Sequence, residues 1–163
     1  MYLTIWRHGE AGSAVTDRMR ELTERGVEDV NAGSEQFKQL CADRDIPLPK
    51  RIFYSEWVRT TQTASIVGRA LGDAALESSP ALIPGRQPVD VENDISHRYP
   101  DDHLLLISHQ PLVSCLVDYY VGSRGYVPGL VPGGLATLRM DHPGPALAQL
   151  VFCIQPPAFE VIL

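Results

Sequence analysis

Five residues in the second half of the chain, LLLIS at 104–108, constrain the fold more than any other segment. Four large apolar side chains in a row cannot alternate between core and solvent. A strand built from them is buried on both faces, as strands in the middle of a parallel sheet are. Parallel neighbours need crossover connections, normally helices, that cover the sheet. The remaining sequence supplies both. Residues 1–6 read as a first strand, RIFYS (51–55) as a second, and a short third strand with a turn lies within ESSPALIPGRQP. Helical spacing of Leu22, Val30, Phe37, Leu40 and Cys41 predicts a helix from Leu22 to about Arg44, with Gly26 and Gly33 as weak points. Further helices are predicted over Val58–Leu71, closed by Gly72, over VDVENDISHRY (89–99), and after Pro111, a residue suited to a first helical turn. LATLRM and ALAQLVFCI, joined across Pro143-Gly144, read as a closing hairpin whose apolar run is core or a dimer edge. The expected fold class is therefore α/β, with a mostly parallel central sheet between helix layers, in one domain over residues 1–163.

Composition narrows the function classes. With 44% hydrophobic and 21% charged residues the chain has the make-up of an ordinary globular protein, and no apolar run approaches membrane-spanning length. A formal net charge of −6 argues against general nucleic-acid binding, which needs a basic surface. It leaves room for a small anion held in a locally positive cleft. Cys41, Cys115 and Cys153 are odd in number and widely spaced, so they read as buried thiols of a reducing cytoplasm rather than disulfides or zinc ligands. The start of the chain lacks the basic-then-apolar build of a secretory signal.

In a parallel α/β sheet, ligands bind beyond the carboxyl ends of the strands. Three predicted strands end in residues suited to an anion: Arg7-His8-Gly9, Tyr54-Ser55 with Arg59 one helical turn on, and Ser108-His109. Guanidinium groups present fork-shaped, permanently charged donors to phosphate or carboxylate oxygens. A neutral histidine held against a phosphoryl group can attack phosphorus, while the arginines and the second histidine neutralise the equatorial oxygens. No metal or cofactor is needed, and no carboxylate cluster accompanies the set. Gly9 would let the backbone approach the ligand. Taken singly, each residue has an ordinary reading, and His109 alone could be a satisfied turn residue. Ser55 could equally be a cap for the following helix.

RHGEA (7–11), YSEWVRTTQT (54–63) and LLLISHQPLV (104–113), in that order, resemble the histidine phosphatase superfamily with its phosphoglycerate mutase-like, three-layer αβα fold. TDRMRELTERG (16–26) and the short chain are similar to the SixA-type phosphohistidine phosphatase branch. The resemblance runs from residue 1 to about 122. It implies His8 as the nucleophile that becomes phosphorylated, Arg7, Arg59 and His109 as phosphate-binding and catalytic partners, and Arg20 as a further phosphate contact or a loop anchor. Asp17 is a weaker candidate, and Glu10 would orient its neighbours or cap a turn. Larger members carry a carboxylic acid after the second arginine; here Pro84-Gly85 stands at that place, with Glu77, Asp90 and Glu92 nearby. The implied substrate is a phosphohistidine-bearing protein, such as a histidine-containing phosphotransfer domain. The alternatives are a small-molecule phosphomonoesterase and a non-catalytic phosphoprotein-binding module.

Overall fold

The computed structural model describes residues 1–97 and 102–162. Strand β1 (Tyr2–Arg7) is followed by helix α1 (Glu24–Asp43), strand β2 (Arg51–Tyr54), helix α2 (Val58–Ala70), strand β3 (Ala75–Ser78) and helix α3 (Pro88–Ile95). Strand β4 (His103–Ser108), helix α4 (Leu112–Val121) and strands β5 (Leu135–Arg139) and β6 (Gln149–Ile154) complete the chain. One six-stranded sheet results, in the order β3-β2-β4-β1-β5-β6. The first four strands run parallel, and β5 and β6 are antiparallel additions beside β1.

All six residues of β4 are buried, as the apolar run requires. Successive side chains of a strand point to opposite faces, and the two cores divide accordingly. Leu3, Ile5, Leu104 and Leu106 pack against α3 and α4 through Val91, Ile95, Val113, Leu116 and Tyr120. Trp6, Leu105 and Ile107 face α1 and α2, meeting Val30, Phe37 and Val67. Each such side chain, fully withdrawn from water, contributes roughly 1.5–3 kcal/mol. Two full helix layers are thus committed to a sheet whose central strands have no solvent-facing side.

Helix α1 starts two residues later than the apolar spacing predicts. The Leu22 N–H donates to the Gln62 side chain at 2.7 Å, and Thr23 serves as N-cap, its hydroxyl accepting from the Gly26 N–H at 3.0 Å. Gly72, at φ +80°, closes the turn after α2, a conformation that glycine adopts without strain. Pro111 is the N-cap residue of α4 rather than its first helical residue. The helix predicted over residues 89–99 is α3; residues 98 and 99 lie outside the described residues. Cys41 and Cys153 are buried, but Cys115 is exposed. The buried side of α4 is Leu112, Val113, Leu116, Val117 and Tyr120, which leaves position 115 on the opposite face. Phe152, Cys153 and Ile154 of the closing hairpin are core. Among the described residues, no helix is long and apolar enough to cross a membrane.

Candidate active site

Parallel register sets the ends of β1, β2 and β4 side by side: Arg7 pairs with Ser108, and Tyr54 with Ile107. The pairing continues one residue further into the site, where the His8 N–H donates to Ser108 O at 3.1 Å and the Ser55 N–H to Ile107 O at 3.2 Å. Arg7, His8, Ser55 and His109 therefore leave the sheet together, and Arg59 joins them from the first turn of α2.

His8 is 7% exposed. Its Nδ1 lies 2.7 Å from Gly9 O, which can only accept, so Nδ1 carries the ring hydrogen. Its Nε2 receives a hydrogen bond from Arg59 Nε at 3.1 Å and is therefore the bare nitrogen. Burial pushes the imidazole down to about 4, and the charges of Arg59, Arg7 and Arg20 add to this, against the Gly9 bond. His8 is thus a neutral ring at ordinary pH, with its lone pair on the nitrogen facing the arginine.

The His109 ring centroid is 5.1 Å from that of His8. Burial, then His8 and Arg59, push it down to about 3. Its Nε2 lies 2.8 Å from Ser55 Oγ, while its Nδ1 is buried without a partner. Trp57 packs edge-on to His109 at 5.3 Å and receives the Arg59 guanidinium over its ring at 5.1 Å, so one indole braces both. Arg7 Nη1 donates to Leu130 O at 2.8 Å, and its Nε is buried without a partner. The Arg59 Nη1 donates to Asp17 O at 2.6 Å, and Nη2 faces Asp17 Oδ2 at 3.4 Å.

Arg20 is turned mainly to its own loop. Its Nε and Nη2 donate to Gly12 O at 2.7 Å and Ala11 O at 3.1 Å, and its Nη1 pairs with Asp17 at 3.1 Å. Glu10 accepts the Thr23 hydroxyl at 2.9 Å, tying the site loop to the start of α1. Packing is one requirement for a glycine at position 9. A Cβ there would meet Val30 Cγ2 at 2.8 Å and Gly26 O at 2.9 Å, so the packing of α1 demands the glycine. The Gly9 N–H donates to Thr63 Oγ1 at 3.2 Å, which ties the loop to α2 as well.

Of the carboxylates near Pro84-Gly85, two stand on α3 and one on the edge strand, and the Glu92 Oε2 is buried without a hydrogen-bond partner. Asp90 caps α3 by accepting the Gln87 N–H at 2.9 Å, Glu92 lies toward Tyr119, and Glu77 sits on the edge strand opposite Phe53. Asp17 is the carboxylate paired with Arg59, at 3.4 Å. Hydrogen bonds and charge from Arg20 and Arg59 hold it below the usual carboxylate range, so it is an anion at neutral pH.

Sequence reasoning did not single out residues 130–134. The Gly133 N–H donates to His8 O at 2.9 Å and to Arg7 O at 3.2 Å, and Gly134 O accepts the Arg7 N–H at 2.9 Å. The signal available was Pro132-Gly133-Gly134 immediately before a strand. Two guanidiniums and two neutral imidazoles, gathered at the ends of β1 and β4 and the start of α2, are suited to an oxyanion facing the bare His8 Nε2.

The fold, a mostly parallel six-stranded sheet flanked by helices, is the phosphoglycerate mutase-like fold of the histidine phosphatases. Within that class the structural neighbours are SixA phosphohistidine phosphatases and other histidine phosphatase superfamily members. The protein histidine phosphatase SixA in complex with tungstate superposes at a TM-score of 0.82 with 25% identity, over 96% of this chain and 97% of that one. The chain described as phosphohistidine phosphatase SixA of Agrobacterium tumefaciens gives 0.78 with 22% identity, over 95% and 98%. A mycobacterial glucosyl-3-phosphoglycerate phosphatase gives 0.66 with 18% identity, over 92% and 97%. No family model matches the sequence, and no curated protein does.

Proposed function

We propose that this protein is a metal-independent phosphatase that removes phosphate from phosphohistidine in proteins, such as a histidine-containing phosphotransfer domain, through a covalent intermediate on His8. The observation that carries the substrate class is where the carboxylates stand: Asp90 accepts the Gln87 N–H as part of the cap of α3, and Asp17, with more than half of its side chain exposed, is paired with Arg20 and Arg59. A phosphate monoester leaves as an alkoxide and gains about 10²–10⁴-fold from a positioned acid. Asp17, an exposed carboxylate paired with Arg20 at 3.1 Å and with Arg59 at 3.4 Å, is an anion and not a proton donor. The imidazole of phosphohistidine has an unperturbed pKa of roughly 6.5 and takes its proton from water. It then leaves as a neutral ring.

In the first step the lone pair of His8 Nε2 forms the new P–N bond while the bond from phosphorus to the substrate imidazole breaks. The hydrogen stays on Nδ1, donated to Gly9 O, which keeps the ring in the reactive tautomer. Arg7 and Arg59 take up the charge of the equatorial oxygens, and His109 offers a further ring N–H. In the second step water attacks phosphorus and the P–Nε2 bond breaks. Orthophosphate leaves, the water proton passes to bulk, and neutral His8 returns. Arg20 serves this site as the anchor of the loop that carries Asp17. Three free cysteines suit a reducing compartment, and the cytoplasm is the proposed place of work.

The test is phosphate release from a phosphohistidine peptide and from a phosphoserine peptide of similar sequence, with a chelator present, for the wild type and His8→Ala. The expected outcome is a preference of at least about 10² for the P–N substrate, abolished in the variant. Equal or faster ester hydrolysis would overturn the assignment in favour of a phosphomonoesterase. A phosphoprotein that binds but is never turned over would instead leave a binding module.

A further inference from the structure

Ser55 follows the last residue of β2 and is fully buried. Its backbone is held on both sides: the N–H donates to Ile107 O at 3.2 Å, and the carbonyl accepts the Thr60 hydroxyl at 2.6 Å. The backbone that carries the side chain is therefore fixed. Two groups approach its Oγ. The Trp57 N–H donates to it at 3.4 Å, and His109 Nε2 lies 2.8 Å away.

The direction of that second bond can be argued from hydrogen count. A serine hydroxyl has one hydrogen to give and two lone pairs. With Trp57 already donating, the hydroxyl hydrogen still needs an acceptor, and among the described residues His109 Nε2 is the one within reach. A ring nitrogen that accepts cannot also carry a hydrogen, so neutral His109 must hold its hydrogen on Nδ1. The opposite assignment would strand the serine hydrogen in the interior and leave Nδ1 as a bare acceptor with no donor. Nδ1 is also the ring atom without a protein partner, on a side chain only 2% exposed.

We propose that Ser55 is a positioning residue that fixes the tautomer of His109, so that Nδ1–H is kept as a donor for an oxygen of the bound phosphoryl group. The proposal rests on the phosphatase reading only for the identity of the anion. It gives the buried, unpartnered Nδ1 a use, a hydrogen bond to an oxygen of the bound phosphoryl group. It also separates the two histidines, since His8 is oriented by a backbone carbonyl that leaves Nε2 bare, and His109 by a hydroxyl that leaves Nδ1–H free.

The experiment is ¹⁵N NMR of the histidine rings in the wild type, Ser55→Ala and Ser55→Thr, with orthovanadate titrated as the probe anion. Expected are an Nδ1–H tautomer for His109 in the wild type and a shift toward Nε2–H in Ser55→Ala. Vanadate should bind the alanine variant roughly tenfold more weakly, and threonine should restore both readings. An Nε2–H ring in the wild type would overturn the proposal. So would a Ser55→Ala protein with unchanged tautomer and unchanged vanadate affinity. His103, remote in sequence and held by Thr4 and Pro47 O, reports whether the alanine variant is folded. Should that variant fail to fold, the wild-type tautomer and the threonine variant still decide. None of these readings requires turnover, so failure of the phosphohistidine assignment and failure of this one give different results.

Discussion

Gly26→Ala is an informative single substitution because two opposing effects can be weighed. The residue lies in the first turn of α1, where alanine is the better helix former by about 1 kcal/mol. The structure places an added Cβ 2.2 Å from Glu10 O and 2.9 Å from Glu10 N, both backbone atoms of the loop that follows His8. Relief requires α1 and that loop to part by about an ångström, since carbon contacts settle near 3.5 Å. Overpacking of this kind costs about 1–3 kcal/mol, and backbone on both sides puts the cost at the upper end. The net expectation is a loss of roughly 1–2 kcal/mol. Activity should suffer more, because displacement of a reacting group by about 1 Å can cost on the order of 10²-fold. Gly33→Ala is the matched control. There the nearest atom, at 2.9 Å, belongs to the Phe159 ring, a side chain that can tilt. Its stability should stay close to that of the wild type, with activity unchanged. The assays are urea unfolding, read as a shift in midpoint at constant slope, and hydrolysis of a phosphohistidine peptide. If Gly26→Ala matched Gly33→Ala in both, the helix would be closing on the site loop with slack, and the reasoning would be wrong.

Two further outcomes follow from burial and charge. Stability should fall as pH drops from 6.5 toward 4, because the unfolded chain protonates His8, His103 and His109 while the fold holds them down to about 4, about 4 and about 3. The slope approaches ~1.4 kcal/mol per pH unit for each group, and a urea midpoint equal at pH 7 and pH 5 would contradict it. A thiol reagent should label Cys115 alone in the folded protein and all three cysteines in denaturant, since burial pushes Cys41 up to about 12 and Cys153 up to about 11. Prompt labelling of either buried thiol, read by peptide mass, would refute this.

The order of elements was legible because the sheet's centre is so apolar. LLLIS has no polar position to offer solvent, and the strand ends that flank it are marked by abrupt changes to Arg7-His8, Ser55 and Ser108-His109. What the sequence hid was long-range closeness. Gly9, Gly26 and Gly33 look like flexible or helix-weakening positions, but each is small because another element presses on it. Cys115 passes for core in an apolar stretch until the buried side of α4 is known. Asp17 and Arg20 form one unit with Arg59 that crosses 42 positions of chain, and no local pattern announces such a contact. The segment at 130–134 lies further still from the histidine it supports.

That last contact bears on how the protein comes into being. β1 takes its parallel partner from residues 103–108 and its antiparallel partner from 135–139. The carbonyls of Arg7 and His8 wait for Gly133. Strand β1, synthesised before the other described strands, is thus among the last to be completed, and its pairings close loops of about 100 residues or more, which makes for slow assembly. Until residues 103–139 have been made, His8, the proposed nucleophile, lacks the neighbouring imidazole of His109 and both strands that flank β1. A half-made copy therefore carries that histidine without the site that is built around it.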